Sequence, residues 1–267
     1  MSIGEDFMKI ALCQFDIAWE DKAANFKKVS ALLDGEQHLC RDALILLPEL
    51  FSVGFSMNVA TICEDETRPT ERFLAETARR FNSHVTGGVV TRGADGKGRN
   101  ESVTFAPDGS ELARYEKMQP FSLGGELEHY TPGKAITLFD CGGFKVAPFV
   151  CYDLRFPELF RQAALKGAQL ITVIANWPVT RIDHWITLLR ARAIENQAYV
   201  AGVNRTGRDP RYVYCGRSLI VNPHGEIIAD AGNGDCVIGA EIDVQTVVNW
   251  RRDFPVLKDV RQEFKRG

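Results

Sequence analysis

The order of apolar runs constrains this chain more than any single residue does, because the same order occurs twice. In the first half, Lys9 to Phe15 reads as a strand and Asp21 to Leu33 as a helix with Phe26, Val29, Leu32 and Leu33 on one face. Ala43-Leu-Ile-Leu-Leu47 is a continuous apolar run, the pattern of a strand buried on both faces. A helix over Thr70 to Phe81, with Thr70 as its N-cap, leads into a strand at His84 to Val90. Ser102 to Ala106 and Glu111 to Lys117 then form a hairpin around Pro107-Asp-Gly-Ser110. In the second half, Ile136 to Phe139 and Phe144 to Val150 are strands separated by Gly142 and Gly143. Pro157 to Leu165 is a helix closed by Gly167, Leu170 to Ala175 a strand, Asp183 to Asn196 a helix and Ala198 to Val203 a strand. Ser218 to Asn222 and Glu226 to Ala229 flank the turn Pro223-His-Gly225. Ile238 to Ile242 is expected to finish the sheet.

Parallel strand–helix–strand units need helices over the sheet. Two such half-sheets satisfy this by stacking face to face with their helices outside. The expected fold class is therefore α/β, a four-layer α-β-β-α sandwich with two stacked mixed sheets. No linker or low-complexity stretch interrupts residues 1–267, so one domain is expected, with a C-terminal tail from about residue 244 to 267. In that tail Val244 to Arg251 reads as a helix, and the apolar cluster Phe254 to Leu257 is suited to an oligomer interface.

Composition removes several function classes. The balance of 32 basic and 35 acidic residues, net −3, argues against a general polyanion-binding role, so no nucleic-acid partner is expected. The seven cysteines, at 13, 40, 63, 141, 151, 215 and 236, are odd in number and show no Cys-x-x-Cys spacing. A disulfide framework and a structural zinc site are both disfavoured, and no metal is expected. The acidic opening Met-Ser-Ile-Gly-Glu-Asp-Phe has no long apolar stretch, so neither a secretory signal nor a membrane anchor is expected. These readings point to a reduced, cytoplasmic protein.

Three residues stand at the ends of expected strands. Cys151 ends Phe144 to Val150 and precedes the helix led by Pro157. A cysteine in such a place is usually a small core residue. At a strand-to-helix turn, however, free backbone N–H groups favour the reactive thiolate. Glu49 follows Leu44-Ile-Leu-Leu-Pro48, where a carboxylate is costly unless it is paired or employed. Lys117 ends the last strand of the first hairpin. A thiol, a carboxylate to take its proton and a cation to hold an oxyanion together make an acyl-transfer site. His184 offers a Cys–His alternative, set aside because Glu49 already supplies a base.

Leu46-Leu-Pro-Glu49-Leu-Phe, Tyr115-Glu-Lys117 and Val150-Cys151-Tyr-Asp-Leu-Arg155-Phe-Pro-Glu158 resemble the three signature blocks of the nitrilase (carbon–nitrogen hydrolase) superfamily. Further similarity runs through Asn176-Trp-Pro178, His184-Trp185, Ala191 to Gln197 and Ser218 to Glu226, and is strongest to the omega-amidase branch. The resemblance implies the α-β-β-α sandwich, Cys151 as nucleophile, Glu49 as general base and Lys117 as the cation on the oxyanion side. It also implies a second glutamate, for which Glu126 is the better match and Glu128 the alternative, and an oxyanion hole completed by the backbone N–H of Tyr152. The implied reaction is hydrolysis of the terminal amide of 2-oxoglutaramate or 2-oxosuccinamate, through a thioester and without a cofactor, in a homodimer or larger homo-oligomer. Hydrolysis of an N-carbamoyl amino acid or a generic small amide is the alternative, and an inactive ligand-binding homologue a second one. A substrate carboxylate suits Arg155, which is equally placed to pair with Asp153 or Glu158. Trp177 is a candidate pocket wall, or simply a core aromatic. Arg192 and Glu195 read as an ion pair on one helix.

Overall fold

The computed structural model describes residues 7–264. Residues 1–6, which hold almost all of the acidic opening, and the last three residues of the tail lie outside that range. Two six-stranded mixed sheets carry the architecture. The first contains β1 (Phe7–Gln14), β2 (Ala43–Leu46), β3 (His84–Arg92), β4 (Gly98–Phe105) and β5 (Glu111–Glu116). The second contains β6 (Phe139–Cys141), β7 (Phe144–Val150), β8 (Leu170–Ile174) and β9 (Tyr199–Val203). After a two-stranded ribbon of β10 (Thr206–Arg208) and β11 (Val213–Cys215), the second sheet continues with β12 (Leu219–Val221) and β13 (Ile227–Asp230). In each sheet three parallel strands, β1-β2-β3 or β7-β8-β9, pass into an antiparallel pair, β4-β5 or β12-β13.

Three expectations need correction. The last strand, β14 (Cys236–Asp243), does not finish the second sheet. It runs antiparallel along β1, from Phe7 opposite Asp243 to Gln14 opposite Cys236. The corresponding edge of the second sheet is already filled by β6, antiparallel to β7, so the free place is beside β1. β6 itself lies later than the run Ile136 to Phe139; Ile136 and Leu138 pack on the core as half-buried side chains outside the ladder. Thr70 is not an N-cap. The helix Pro69–Phe81 starts on Pro69 after Arg68, whose φ is +46°, and the Thr70 hydroxyl turns inward to Glu64 (2.7 Å). Proline's fixed φ suits the first helical position.

Alternation along β1 shows how the layers stack. Met8, Ile10 and Leu12 share one buried cluster with Val146, Phe149 and Ile171 of the second sheet. Ala11 and Cys13 face the other way, into a cluster with Val29 and Leu33 of the helix Lys22–Gly35 and Leu74, Ala78 and Phe81 of Pro69–Phe81. Period-two side-chain direction thus puts one face of the strand on the partner sheet and one under helices. Over the second sheet, Trp185, Leu189 and Ala193 of the helix Ile182–Asn196 supply the outer cover. Among the described residues no helix is long and apolar enough to cross a membrane.

Candidate active site

Parallel strands bring their C-terminal ends to one edge of each sheet, and the two edges meet. Glu49 lies just beyond β2, in a turn that crosses β3 at Gly88. A Cβ on Gly88 would sit 2.1 Å from the Leu50 nitrogen, so only glycine lets this turn lie so close. Lys117 follows β5, fixed by its N–H donating to the Asn100 carbonyl (2.8 Å) and by its own carbonyl accepting from Gly133 (2.8 Å). Cys151 follows β7 with φ +46°, a left-handed conformation that costs a non-glycine residue about 1–2 kcal/mol. The 3₁₀ turn Cys151–Arg155 starts at the thiol itself, and the helix Pro157–Leu165 comes after it.

The side chains converge. The Lys117 ammonium donates to Glu49 Oε1 at 2.9 Å and to Glu126 Oε2 and Oε1 at 2.7 and 3.0 Å. Glu126 also accepts from the Phe121 N–H (2.6 Å). Glu49 Oε2 accepts from the Asn176 backbone N–H (3.0 Å), and Glu49 Oε1 from Asn100 Nδ2 (2.8 Å). The Cys151 thiol faces the Glu49 carboxylate and donates to the Asn176 carbonyl (3.8 Å). Glu49 and Glu126 are fully buried and Lys117 is 2 % exposed. Glu128, the alternative to Glu126, points outward.

Electrostatics follow from this geometry. Burial works against the Lys117 ammonium, but Glu126 and Glu49 outweigh it and hold the group well above the usual lysine range. Burial pushes the Cys151 thiol up, Glu49 adds to the push, and Lys117 opposes it. This corrects the expectation that the turn favours thiolate: at rest the sulfur is a neutral thiol, because a carboxylate lies beside it and little solvent reaches it. The arrangement can carry a proton from sulfur to carboxylate without changing its net charge.

Above these residues opens a small, partly solvent-open pocket. Its walls include Phe55, Phe121, Tyr152, Trp177, Tyr212 and Tyr214, with Arg155 and Arg181 among the lining residues. Arg155 lies over the Trp177 ring at 4.7 Å and Arg181 over the Phe121 ring at 5.6 Å. Among the described residues Arg155 forms no ion pair with Asp153 or Glu158. The Asp153 carboxylate is turned inward, accepting from Tyr115 Oη (2.9 Å) and from the Val150 and Gln119 N–H groups (2.9 and 2.8 Å). Burial lifts Asp153 to about 7 despite these donors. Trp177 both walls the pocket and packs on Trp185 (5.5 Å). Tyr152 stands in the first turn of the 3₁₀ segment, where N–H groups lack intrahelical acceptors. His184 is exposed, its Nδ1 at 3.3 Å from both terminal nitrogens of Arg155. Arg192 and Glu195 are paired at 2.9 Å.

Several contributors were not anticipated from the chain. Asn176 follows the apolar run of β8 as Glu49 follows that of β2, a parallel that was available in the sequence. Arg181, Asn100 and the ribbon residues Tyr212 and Tyr214 carried no such mark.

The Carbon-nitrogen hydrolase family model matches residues 9–252. The chain belongs to the carbon–nitrogen hydrolase family. Among its carbon–nitrogen hydrolase relatives, the 2-oxoglutaramate amidase of Bacillus subtilis (strain 168) is 33% identical over 255 residues, covering 95% of this chain and 98% of the relative. The omega-amidase YafV of Yersinia enterocolitica is 39% identical over 254 residues, covering 94% and 96%. In structure, XC1258 from Xanthomonas campestris, a CN-hydrolase superfamily protein with an arsenic adduct in its active site, superposes with a TM-score of 0.88 at 32% identity, covering 96% of this chain and 98% of that one.

Proposed function

We propose that this carbon–nitrogen hydrolase cleaves the terminal amide of small oxo-carboxylates such as 2-oxoglutaramate or 2-oxosuccinamate, releasing ammonia through a thioester on Cys151. The observation that carries the reading is the buried Lys117 ammonium, clamped by Glu49 and Glu126 beside a neutral thiol at the floor of the pocket. Glu49 takes the thiol proton as sulfur attacks the amide carbon. The oxygen that becomes negative is held by Lys117 and the Tyr152 N–H, as preorganised donors hold an oxyanion. The C–N bond then breaks, nitrogen takes the proton from Glu49, and ammonia leaves. Water gives a proton to Glu49 as it attacks the thioester. The C–S bond breaks, and sulfur recovers that proton. Glu126 keeps the ammonium aimed.

The substrate class rests on the two arginines. Burial, together with Arg181 nearby, pulls Arg155 below the usual guanidinium range. An anion between the two relieves that repulsion, and guanidinium edges suit a carboxylate. The names of the Bacillus and Yersinia relatives support the same choice. The test is ammonia release from 2-oxoglutaramate, 2-oxosuccinamate, an N-carbamoyl amino acid and propionamide. We expect the oxo-acid amides to lead in kcat/KM, and Arg181→Met to raise KM for them while leaving propionamide unchanged. A clear preference for the carbamoyl compound overturns the substrate assignment.

A further inference from the structure

Asn100 takes no part in the proton transfers above, yet its side chain touches both carboxylates. Its Nδ2 donates to Glu49 Oε1 at 2.8 Å and to Glu126 Oε1 at 2.9 Å, and its main-chain carbonyl accepts the Lys117 N–H. It is buried on β4, opposite Val90 of β3, at 2 % exposure. Its Oδ1 is buried without a hydrogen-bond partner. We propose that Asn100 is a positioning residue for the hydrolytic reaction: its amide spans Glu49 and Glu126 and holds the Glu49 carboxylate in the orientation from which it accepts the thiol proton. The inference rests on the assignment of Glu49 as the base.

Charge explains why an amide occupies this place. Two carboxylates share one ammonium, so the cluster needs another donor to quiet their mutual repulsion. A second cation would supply it but would add to the ion pair that Glu49 already makes with Lys117 and weaken the carboxylate further as a proton acceptor. A carboxamide gives two N–H donors and no net charge. The orphaned Oδ1 follows from the same demand, since turning the amide over would aim oxygen at two carboxylates. An unpaired buried acceptor weakens the fold, and a leucine of similar shape would not carry that defect.

The groups that face Glu49 are Lys117 from the end of β5, Glu126 from the short helix Glu126–His129, Cys151 from the end of β7, and the Tyr130 phenol. None of these changes in Asn100→Leu, so a moved pH profile reports the lost amide. The experiment measures kcat, KM and the pH profile of kcat/KM for Asn100→Leu, Asn100→Asp and Glu49→Gln, on whichever amide the unaltered protein turns over fastest. In Asn100→Leu we expect kcat to fall about ten- to a hundredfold, the worth of a hydrogen bond to a charged group. KM stays near its original value. The acid limb of kcat/KM moves to higher pH, because a carboxylate that loses a donor binds its proton more readily. Asn100→Asp, which sets a third carboxyl beside the pair, moves that limb further. Should Asn100→Leu fail to fold, Asn100→Ser, whose hydroxyl donates to only one carboxylate, is read for a smaller shift of the same sign. An acid limb that stays in place in the folded variants overturns the proposal while Glu49→Gln is inactive. If Glu49→Gln itself keeps its turnover, it is the base assignment that fails.

Discussion

Replacing Glu49 by glutamine tests the core of the mechanism, because its effects on turnover and on sulfur reactivity have opposite signs. Every contact of this carboxylate is with a donor: Asn100 Nδ2 at 2.8 Å, Lys117 Nζ at 2.9 Å, and the Asn176 N–H and Nδ2 at 3.0 and 3.4 Å. A glutamine must aim its NH₂ at one of these sets. Turned toward Asn176, it orphans a buried N–H at a cost of about 1–3 kcal/mol. Lys117 keeps Glu126, so the cost stays below the roughly 3–5 kcal/mol of stranding a buried charge. At about 2–4 °C per kcal/mol, the thermal midpoint drops by several degrees and the protein remains folded. With the proposed base gone from both stages of the reaction, kcat/KM should fall about 10²–10⁴-fold. The thiol moves the other way. Glu49 contributes to its raised pKa and Lys117 opposes it, so removing the carboxylate lets Cys151 ionise at lower pH. Ammonia release gives the first quantity, and the pH dependence of iodoacetamide labelling at Cys151, located by mass spectrometry, gives the second. A variant that keeps more than about a tenth of kcat/KM, or whose labelling shifts to higher pH, refutes the reasoning.

Cys151→Ala and Cys151→Gly both remove the nucleophile and should abolish ammonia release. Glycine occupies φ +46° without the penalty alanine carries, so Cys151→Gly should unfold at the higher temperature, by about 1 kcal/mol; the reverse order in thermal melts would show that the turn is not strained. Asp153 gives a pH-dependent stability. Its folded value near 7 lies above the unfolded value of about 3.9, so the contribution is present below about pH 4 and lost as pH rises toward 7. The shift corresponds to a few kcal/mol, and urea midpoints from pH 5 to 8 should decline more steeply in the unaltered protein than in Asp153→Asn. Equal slopes would remove Asp153 from the account.

The sheets were readable in the chain because they rest on local patterns. Ala43 to Leu47 is apolar without a break and Leu170 to Ala175 is interrupted only by Thr172, and polar residues directly after such runs mark strand ends. Glu49 and Cys151 stand after such runs and Lys117 at the end of a hairpin strand, and the three converge in the structure. What stayed hidden depends on which strand lies beside which. Asn100 is an ordinary strand residue until β4 is set beside β5 and over the Glu49 turn, contacts that span 51 residues to Glu49 and 26 to Glu126. Arg181 and Tyr214 reach the pocket only because the loop after β8 and the β10–β11 ribbon bend over it. The protonation of Cys151 was misread for a similar reason. The turn geometry pointed to thiolate, while the carboxylate that opposes ionisation comes from another sheet. The pairing of β14 with β1 has no local signature, since both candidate edges suit an alternating strand.

That pairing governs the order in which the chain can mature during synthesis. β14 covers the open side of β1 along its whole length, yet more than two hundred residues separate the two strands. Until residue 243 has left the ribosome, the amino-terminal sheet carries a bare hydrogen-bonding margin eight residues long, the kind of margin that recruits strands from other molecules. A premature stop anywhere before Cys236 would therefore yield a sticky product and not merely a shortened enzyme.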